Sequence, residues 1–83
     1  MLCELKALYD CRSSFYNKAN VEVTSDKLML YSYNTLVAEI DRDTQEARVF
    51  NTYGATTLRH IKEFLKQNGF VADTRSQILD DYS

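Results

Sequence analysis

The residues of this sequence that are best suited to chemistry lie where a helix is predicted to begin. Residues 54–57, Gly-Ala-Thr-Thr, can offer backbone N–H groups and hydroxyls, and Arg59 and His60 follow within one turn. Donors at the positive end of a helix dipole, with a cation nearby, form a suitable site for a phosphate or another anion. The simpler interpretation is that Thr56 or Thr57 only caps the helix, which is the commoner role of such residues.

His60 is the single histidine of the chain, so it is the natural candidate for a general base. It lies at the border of the apolar arc of the same helix, where a half-buried ring bonded to a sheet is the common outcome. The sequence contains no Gly-x-Ser-x-Gly elbow, His-Glu-x-x-His pair, phosphate loop or dinucleotide fingerprint. One histidine and two cysteines are too few ligands for a structural zinc site unless carboxylates join them. We therefore expect a protein that is not an enzyme and that uses neither a metal nor a cofactor.

Three cations of the predicted helix, Arg59, Lys62 and Lys66, fall within about 60° of one another on the helical wheel. Such a stripe can contact nucleic-acid phosphates while Tyr31, Tyr33 or Tyr53 stacks on a base. The whole chain is acidic, however, with a net charge of -2 and a pI near 5.2. Bulk attraction to nucleic acid is not expected from such a chain. Nucleic-acid binding is therefore the alternative hypothesis, and a solvated helix face is the simpler one.

Tyrosines and acidic residues indicate surfaces for a protein partner. The chain has six tyrosines and no tryptophan, and tyrosine is a frequent interface anchor because it offers a large area with few rotamers to immobilise. Acidic side chains gather around one predicted turn, at Glu39, Asp41, Asp43 and Glu46. They can face a basic partner such as a nucleic-acid-binding enzyme, although a solvated turn is the commoner explanation.

The element that must position these residues is an amphipathic helix over residues 55–69. The apolar residues that share one arc, about 120° wide, are Leu58, Ile61, Phe64 and Leu65. Gly69 can adopt the left-handed conformation that ends a helix, and Lys66 suits the negative end of the dipole. We expect this helix to cover a sheet.

The segments before this helix are predicted to be mainly strands. Leu2, Leu5, Leu8 and Tyr9 recur at three- and four-residue spacing, which predicts a short first helix that ends near Arg12. Alternating or β-branched residues predict a strand over residues 15–24 and a last strand over residues 47–52.

Residues 27–41 allow two interpretations. The first is a single long, bent strand that is covered over part of both faces. The second is a tight hairpin at Asn34-Thr35, which places on one common face Met29, Tyr31, Tyr33, Leu36, Ala38 and Ile40. Asn-Thr is a weaker hairpin dipeptide than Asn-Gly, so the long strand is slightly favoured.

The predicted architecture is a single α+β domain over residues 1–83. An antiparallel meander of three to four strands is covered by one main amphipathic helix, and short helices lie at both termini; Thr74 and Gln77 have the spacing of a capping box for the last one. A chain of 83 residues is near the lower limit for a self-sufficient core, so a homodimer through a sheet edge stays open. No apolar run approaches about 18 residues and the N-terminus lacks a secretory pattern, which predicts a cytoplasmic protein without membrane contact.

Three segments of the sequence carry a resemblance to known proteins. Residues 32–38 read Ser-Tyr-Asn-Thr-Leu-Val-Ala and are interpreted as a strand, and residues 56–65 read Thr-Thr-Leu-Arg-His-Ile-Lys-Glu-Phe-Leu and are interpreted as a helix. Residues 14–19 fit the same pattern. The pattern resembles a family of small uncharacterised proteins encoded by bacteriophages and other mobile elements of bacteria, and the likeness covers about residues 8–70.

The resemblance implies a class of function without an assigned activity. Small phage proteins of this size are commonly non-catalytic binders of host factors, and one anti-defence group blocks a CRISPR effector or sequesters a nucleotide signal. The polar residues of the pattern are then the expected contacts with a ligand or partner: Tyr33, Thr35, Thr56, Thr57, Arg59 and His60. We expect them to meet where the strand bend approaches the start of the helix, in a patch suited to a phosphate or to a partner's carboxylate.

Overall fold

The fold is an antiparallel sheet with helices on one face, and the computed structural model describes it for all residues except 11–13, 16 and 51–53. In the described residues the sheet has five strands: β1 (Leu2–Glu4), β2 (Ala19–Val23), β3 (Lys27–Ser32), β4 (Thr35–Asp41) and β5 (Glu46–Val49). They pair in the order β1-β2-β3-β4-β5, which is a meander. Helix α1 (Ala55–Gln67) packs against β3, and helix α2 (Arg75–Tyr82) packs against β5.

The predicted α+β class, antiparallel meander and main helix are confirmed, whereas the strand number and the N-terminal helix are wrong. Residues 2–4 form β1, which pairs with β2 as a fifth strand in the described residues. Leu2 is exposed and Leu5 is buried, so the leucine spacing does not form one apolar stripe. The N-terminal ammonium of Met1 donates to the Val23 carbonyl oxygen at 2.8 Å. Pairing with β2 thus gives the backbone groups of this segment stable hydrogen-bond partners, whereas a helix this short is only marginally stable by itself. The predicted helix end at Arg12 lies outside the described residues.

The other strand predictions are confirmed in position but not in length. The strand predicted over residues 15–24 begins only at Ala19, and Phe15 precedes it as a buried loop residue. The last strand ends at Val49, and residues 51–52 of its predicted range lie outside the described residues.

One face of the sheet is apolar and packs against the helices. Cross-strand partners on this inner face form two rows: Val21, Leu30, Ala38 and Val49, and Val23, Leu28, Ile40 and Ala47. From α1, Ile61, Phe64 and Leu65 join the same core and are at most 1% exposed. The predicted apolar arc of α1 is therefore confirmed.

Residues 27–41 form a hairpin, so the favoured single strand is wrong. Ser32 pairs with Thr35, and the intervening Tyr33 and Asn34 have φ angles of 51° and 68°. Two consecutive residues with positive φ are what a type I′ turn requires, and the twist of that turn matches the twist of the strands. The turn lies one residue before the Asn34-Thr35 position. The segment 32–38, which the resemblance treats as a strand, therefore straddles the turn.

The position of the turn decides which side chains of β3 face the helices. Leu28 and Leu30 pair with Ile40 and Ala38 on the inner face, and Met29 lies on the other face, whereas the hairpin interpretation places Met29 on one face with Ala38 and Ile40. A slip of one residue has this effect because successive side chains in a strand point to opposite faces. A register shift between Leu30 and Tyr31 accompanies the burial of both Val37 and Ala38 in β4.

Both ends of α1 are set by local backbone geometry. Gly69 has a φ of 84° and follows the helix, which confirms the predicted stop. The predicted threonine cap is wrong, because the N-cap residue is Gly54 and no side chain accepts a cap hydrogen bond. Thr57 is buried and its hydroxyl instead bonds to Ser32 of the sheet.

The capping box predicted for α2 is present in a modified form. The Thr74 side chain accepts a hydrogen bond from the Gln77 backbone N–H at 3.1 Å, and Gln77 Oε1 accepts one from the Asp73 backbone N–H at 2.8 Å. Ile78 carries α2 into the core.

Among the described residues, neither helix has the length and apolar character needed to cross a membrane.

Asn34→Ala should lower the free energy of unfolding by about 1 kcal/mol. Alanine at positive φ places its Cβ close to a carbonyl oxygen, whereas asparagine tolerates this conformation better. Asn34→Gly should leave the stability unchanged or raise it, since glycine has no Cβ. Urea unfolding of the three proteins tests this prediction, and equal midpoints for the alanine and glycine variants would contradict it.

Asp41 should make the stability of the β4–β5 turn depend on pH. The pKa of its carboxyl lies below the ordinary value because it accepts hydrogen bonds from the backbone N–H groups of Thr44 and Asp43. A lowered pKa in the folded state stabilises the fold above the unfolded pKa, and this contribution is lost as the pH falls through the folded pKa. Asp41→Asn should therefore unfold more easily than wild type near neutral pH, with the difference closing as the pH falls below the ordinary range of an aspartate carboxyl. Chemical unfolding over this range measures the effect, and a difference that does not change with pH would refute it.

Candidate functional site

A buried polar cluster joins the end of β3 to the first half of α1. Ser32 Oγ lies 2.8 Å from His60 Nδ1 and 3.1 Å from Thr57 Oγ1. All three side chains are buried, at 2%, 1% and 7% exposure respectively. The single Ser32 hydroxyl proton can serve one of these bonds while the other partner donates, so the serine satisfies two polar groups at once. Buried polar groups need such partners, because leaving one unpaired costs about 1–3 kcal/mol.

Aromatic rings enclose the His60 imidazole. The Phe15 ring meets it edge-on, with centroids 4.7 Å apart and planes at 69°. The Tyr33 ring packs on it in a tilted arrangement, with centroids 5.8 Å apart. His60 therefore supports the hairpin turn from below, and its ring is closed off from solvent.

Tyr33 lies above this cluster and is itself 52% exposed. It occupies the first position of the hairpin turn, where its φ of 51° is uncommon for a bulky residue. Beside it, Thr35 is exposed, and the two residues line an open depression of about 300 Å³ together with Ser32 and Thr57. We call Tyr33 and Thr35, with the buried Ser32, Thr57 and His60 beneath them, the hairpin corner.

The structure brings together four of the six predicted contact residues. Tyr33, Thr35, Thr57 and His60 meet at the hairpin corner. Arg59 points elsewhere, since its Nη1 lies 3.2 Å from Asp10 Oδ1. Thr56 is half-buried at the start of α1. The expectation that His60 and Thr57 form an open donor-rich patch is wrong in one respect: both side chains bond to Ser32 inside the protein.

Ser32 and His60 have the residue types of a nucleophile and a base, at hydrogen-bonding distance. Attack on a substrate requires that the serine oxygen reach the substrate, and here both side chains are shielded from solvent. In this arrangement the pair fixes structure. Among the described residues, no three His, Cys, Asp or Glu side chains lie together in a way that could hold a metal ion.

A second buried polar group, Glu63, lies one turn further along α1. Its Oε1 accepts hydrogen bonds from the backbone N–H groups of Tyr9 and Asp10, at 2.8 and 2.9 Å. Its Oε2 accepts one from Gln67 Nε2 at 2.6 Å, and Gln67 also donates to the Lys6 carbonyl oxygen. Glu63 is 1% exposed. This carboxylate therefore ties the segment after β1 to the helix.

The basic stripe predicted on α1 has acidic neighbours. Arg59, Lys62 and Lys66 line a depression of about 50 Å³ together with Tyr9, Asp10 and Glu63. The ion pair between Arg59 and Asp10 places a negative charge within the stripe. The carboxylates of Asp10 and Glu63 lower the attraction of this surface for phosphates.

Sequence reasoning missed Ser32 and Glu63. Ser32 shares its strand parity with Leu28 and Leu30, so an inward direction follows once β3 is recognised as ending before a turn. Glu63 lies next to His60 on the helical wheel, and its burial extends the buried arc beyond the apolar residues. No sequence signal identifies its partners, because they are backbone groups more than 50 residues away.

Glu63→Gln should lower the free energy of unfolding by about 1–3 kcal/mol. The amide has one acceptor oxygen; if that oxygen serves Tyr9 and Asp10, the amide nitrogen faces Gln67 Nε2, which is also a donor. Glu46→Gln is the matched control, because Glu46 is exposed in β5. Urea unfolding and amide hydrogen exchange at Tyr9 and Asp10 test the prediction. Equal stability of the two variants would show that the buried carboxylate is dispensable.

Comparison with known proteins gives one match. The model of a protein family described as a family of unknown function (DUF8033) matches residues 3–81, which include the hairpin corner and both helices. No curated protein and no solved structure matches the chain.

Proposed function

We propose that this chain, which belongs to the family of unknown function DUF8033, is a non-catalytic accessory protein of a bacteriophage or other mobile element that binds a host protein. On this proposal it acts in the bacterial cytoplasm and inhibits the factor that it binds, as anti-CRISPR and other anti-defence proteins do. The support comes from the resemblance of residues 14–19, 32–38 and 56–65 to small phage proteins, and from the geometry of the hairpin corner.

The observation that carries the proposal is the placement of Tyr33. A bulky residue at positive φ costs of order 1–3 kcal/mol, and such positions are concentrated at functional sites. Glycine would fill this turn position without strain. The chain instead holds a tyrosine there, with half of its surface exposed.

The surroundings of Tyr33 suit it to act as an interface anchor. Its ring packs on His60, which is fixed by Ser32 and Phe15, so the exposed aromatic face is immobilised before a partner arrives. Binding by an immobile side chain loses little rotamer entropy. Thr35 beside it offers a hydroxyl to the same partner. Thr57 and His60 act as positioning residues in this proposal, beneath the contact surface.

Nucleic-acid binding through Arg59, Lys62 and Lys66 is the alternative proposal. It has the weaker support, because the stripe contains the carboxylate of Asp10 and the whole chain is acidic. A partner protein's carboxylate bound at the hairpin corner is a narrower form of the first proposal, and a nucleotide signal bound there is a second version of the anti-defence function.

Tyr33→Ala should weaken binding of the host protein by at least about tenfold in affinity, as expected for an aromatic anchor. Immobilised wild-type chain and variants are incubated with bacterial lysate, and retained proteins are quantified by mass spectrometry. Tyr9→Ala is the matched control, since Tyr9 is also a mostly exposed tyrosine, at 62%, but lies beside the far part of α1. The Tyr9→Ala variant should retain the same partners in amounts within about twofold of those retained by wild type.

Tyr33→Gly separates binding from stability in the same experiment. It removes the ring and also relieves the positive φ, so it should be more stable than Tyr33→Ala yet bind equally poorly. A partner that is retained by both variants as well as by wild type would refute the proposed role of the hairpin corner. Absence of any specific partner would refute the binding function itself.

A further inference from the structure

The sheet has a second face that no helix covers in the described part of the chain. Both helices pack on the inner face, where Ile61 of α1 and Ile78 of α2 are fully buried. The side chains of opposite parity form the outer face. One of its rows crosses all five strands through Leu2, Glu22, Met29, Glu39 and Arg48. Two shorter rows flank it: Glu4, Asn20, Tyr31 and Leu36, and Lys27, Asp41 and Glu46.

Several apolar side chains of this outer face are exposed to solvent. None of its residues is fully buried, and Leu2 and Leu36 are 61% and 36% exposed. Leu2 and Tyr31 line an open depression of about 310 Å³, whose polar members include Asn20 and Glu22. Apolar and aromatic groups within a polar surround are typical of protein interfaces.

The charges of the outer face have one predominant sign. Its three rows contain five carboxylates, on Glu4, Glu22, Glu39, Asp41 and Glu46, against two cations, on Lys27 and Arg48. Lys27 is paired with Glu39 at 3.3 Å, and the N-terminal ammonium lies 3.5 Å from Glu22. The face therefore stays negative even when these cations are counted. On the opposite side of the molecule α1 carries Arg59, Lys62 and Lys66.

We infer that the outer face is a docking surface for a basic protein, one whose surface presents Lys and Arg around apolar side chains. Charge complementarity selects this occupant. A nucleic acid or an anionic lipid surface carries the same sign as the face and is repelled. A second copy of this chain would place carboxylates against carboxylates. Burial of the apolar residues between the charges would add a favourable hydrophobic free energy, which a purely electrostatic contact lacks.

This inference rests on the proposed function in one respect, that the chain binds a protein. It does not depend on the Tyr33 ring, which projects from the turn at the end of the sheet and packs on His60. A partner that covers the outer face and also reaches the turn would contact both surfaces. The outer-face inference and the proposed role of Tyr33 can therefore fail independently of each other.

The test uses a synthetic arginine-rich peptide with leucine at every third position, titrated into the isotope-labelled full chain. Amide chemical shifts in β2, β3 and β4 should move, and the affinity should fall as salt rises because the contact is electrostatic. A glutamate–leucine peptide of the same length should cause no shifts. Glu22→Lys combined with Glu46→Lys should weaken binding of the arginine peptide by at least about tenfold.

Asp73→Lys combined with Asp80→Lys is the matched control, since it changes the net charge equally at two exposed positions of the helical layer. It should weaken binding by less than about threefold, through long-range charge alone. Equal weakening by both variants, shifts confined to α1 and α2, or no binding would overturn the inference. Concentration-dependent shifts of outer-face amides without peptide would also overturn it, in favour of a second copy as the occupant. Tyr33→Ala should bind the peptide like wild type, so a failed titration and a failed lysate capture remain distinguishable.

Discussion

The hydrogen bond between Ser32 Oγ and His60 Nδ1 joins the last residue of β3 to the middle of the helix that covers the sheet. The same serine oxygen also bonds to Thr57, so one hydroxyl holds two successive turns of α1. The apolar contacts of Ile61 and Phe64 would tolerate small shifts of the helix along the sheet, because dispersion has no direction. A short buried hydrogen bond does not tolerate such shifts. Phe15 and Tyr33 then both pack on an imidazole whose position is already fixed.

Glu63 complements this contact one turn further along the helix. By accepting from the backbone of Tyr9 and Asp10, it orders a segment that forms neither helix nor strand. Every buried side-chain N or O atom among the described residues has a hydrogen-bond partner. A core this small therefore includes polar groups without leaving any unpaired, and these groups specify one orientation of α1 on the sheet.

The two faces of the sheet have different roles: the inner face stabilises the fold, and the outer face is proposed to contact other molecules. Its inner rows are aliphatic and pack against α1 and α2, while its outer rows mix Leu2, Tyr31 and Leu36 with carboxylates and remain open. Tyr33 extends beyond the end of the sheet in a strained turn. The surfaces proposed for binding thus lie on the side and at the end of the sheet that the helices leave uncovered in the described part of the chain.

Features that depend on neighbouring residues are predictable from the amino-acid sequence alone. The apolar arc of α1, its stop at Gly69 and the cap of α2 at Thr74 all follow from interactions within a few positions, and all are confirmed. The β1 strand could not be recognised, because its leucine spacing imitates a helix and its identity comes from pairing with β2. The hairpin was misjudged because Tyr33 occupies a position that glycine or asparagine usually marks.

Which polar residues meet depends on the three-dimensional fold. Thr57 and His60 were expected to be open contacts, yet the turn at residues 33–34 directs Ser32 inward, where it binds both. Glu63 looked like part of a charged helix face until a distant backbone segment supplied its donors. In each case the partner is separated by 25 residues or more along the chain. The energy of a buried polar contact depends on a pairing that no local pattern encodes.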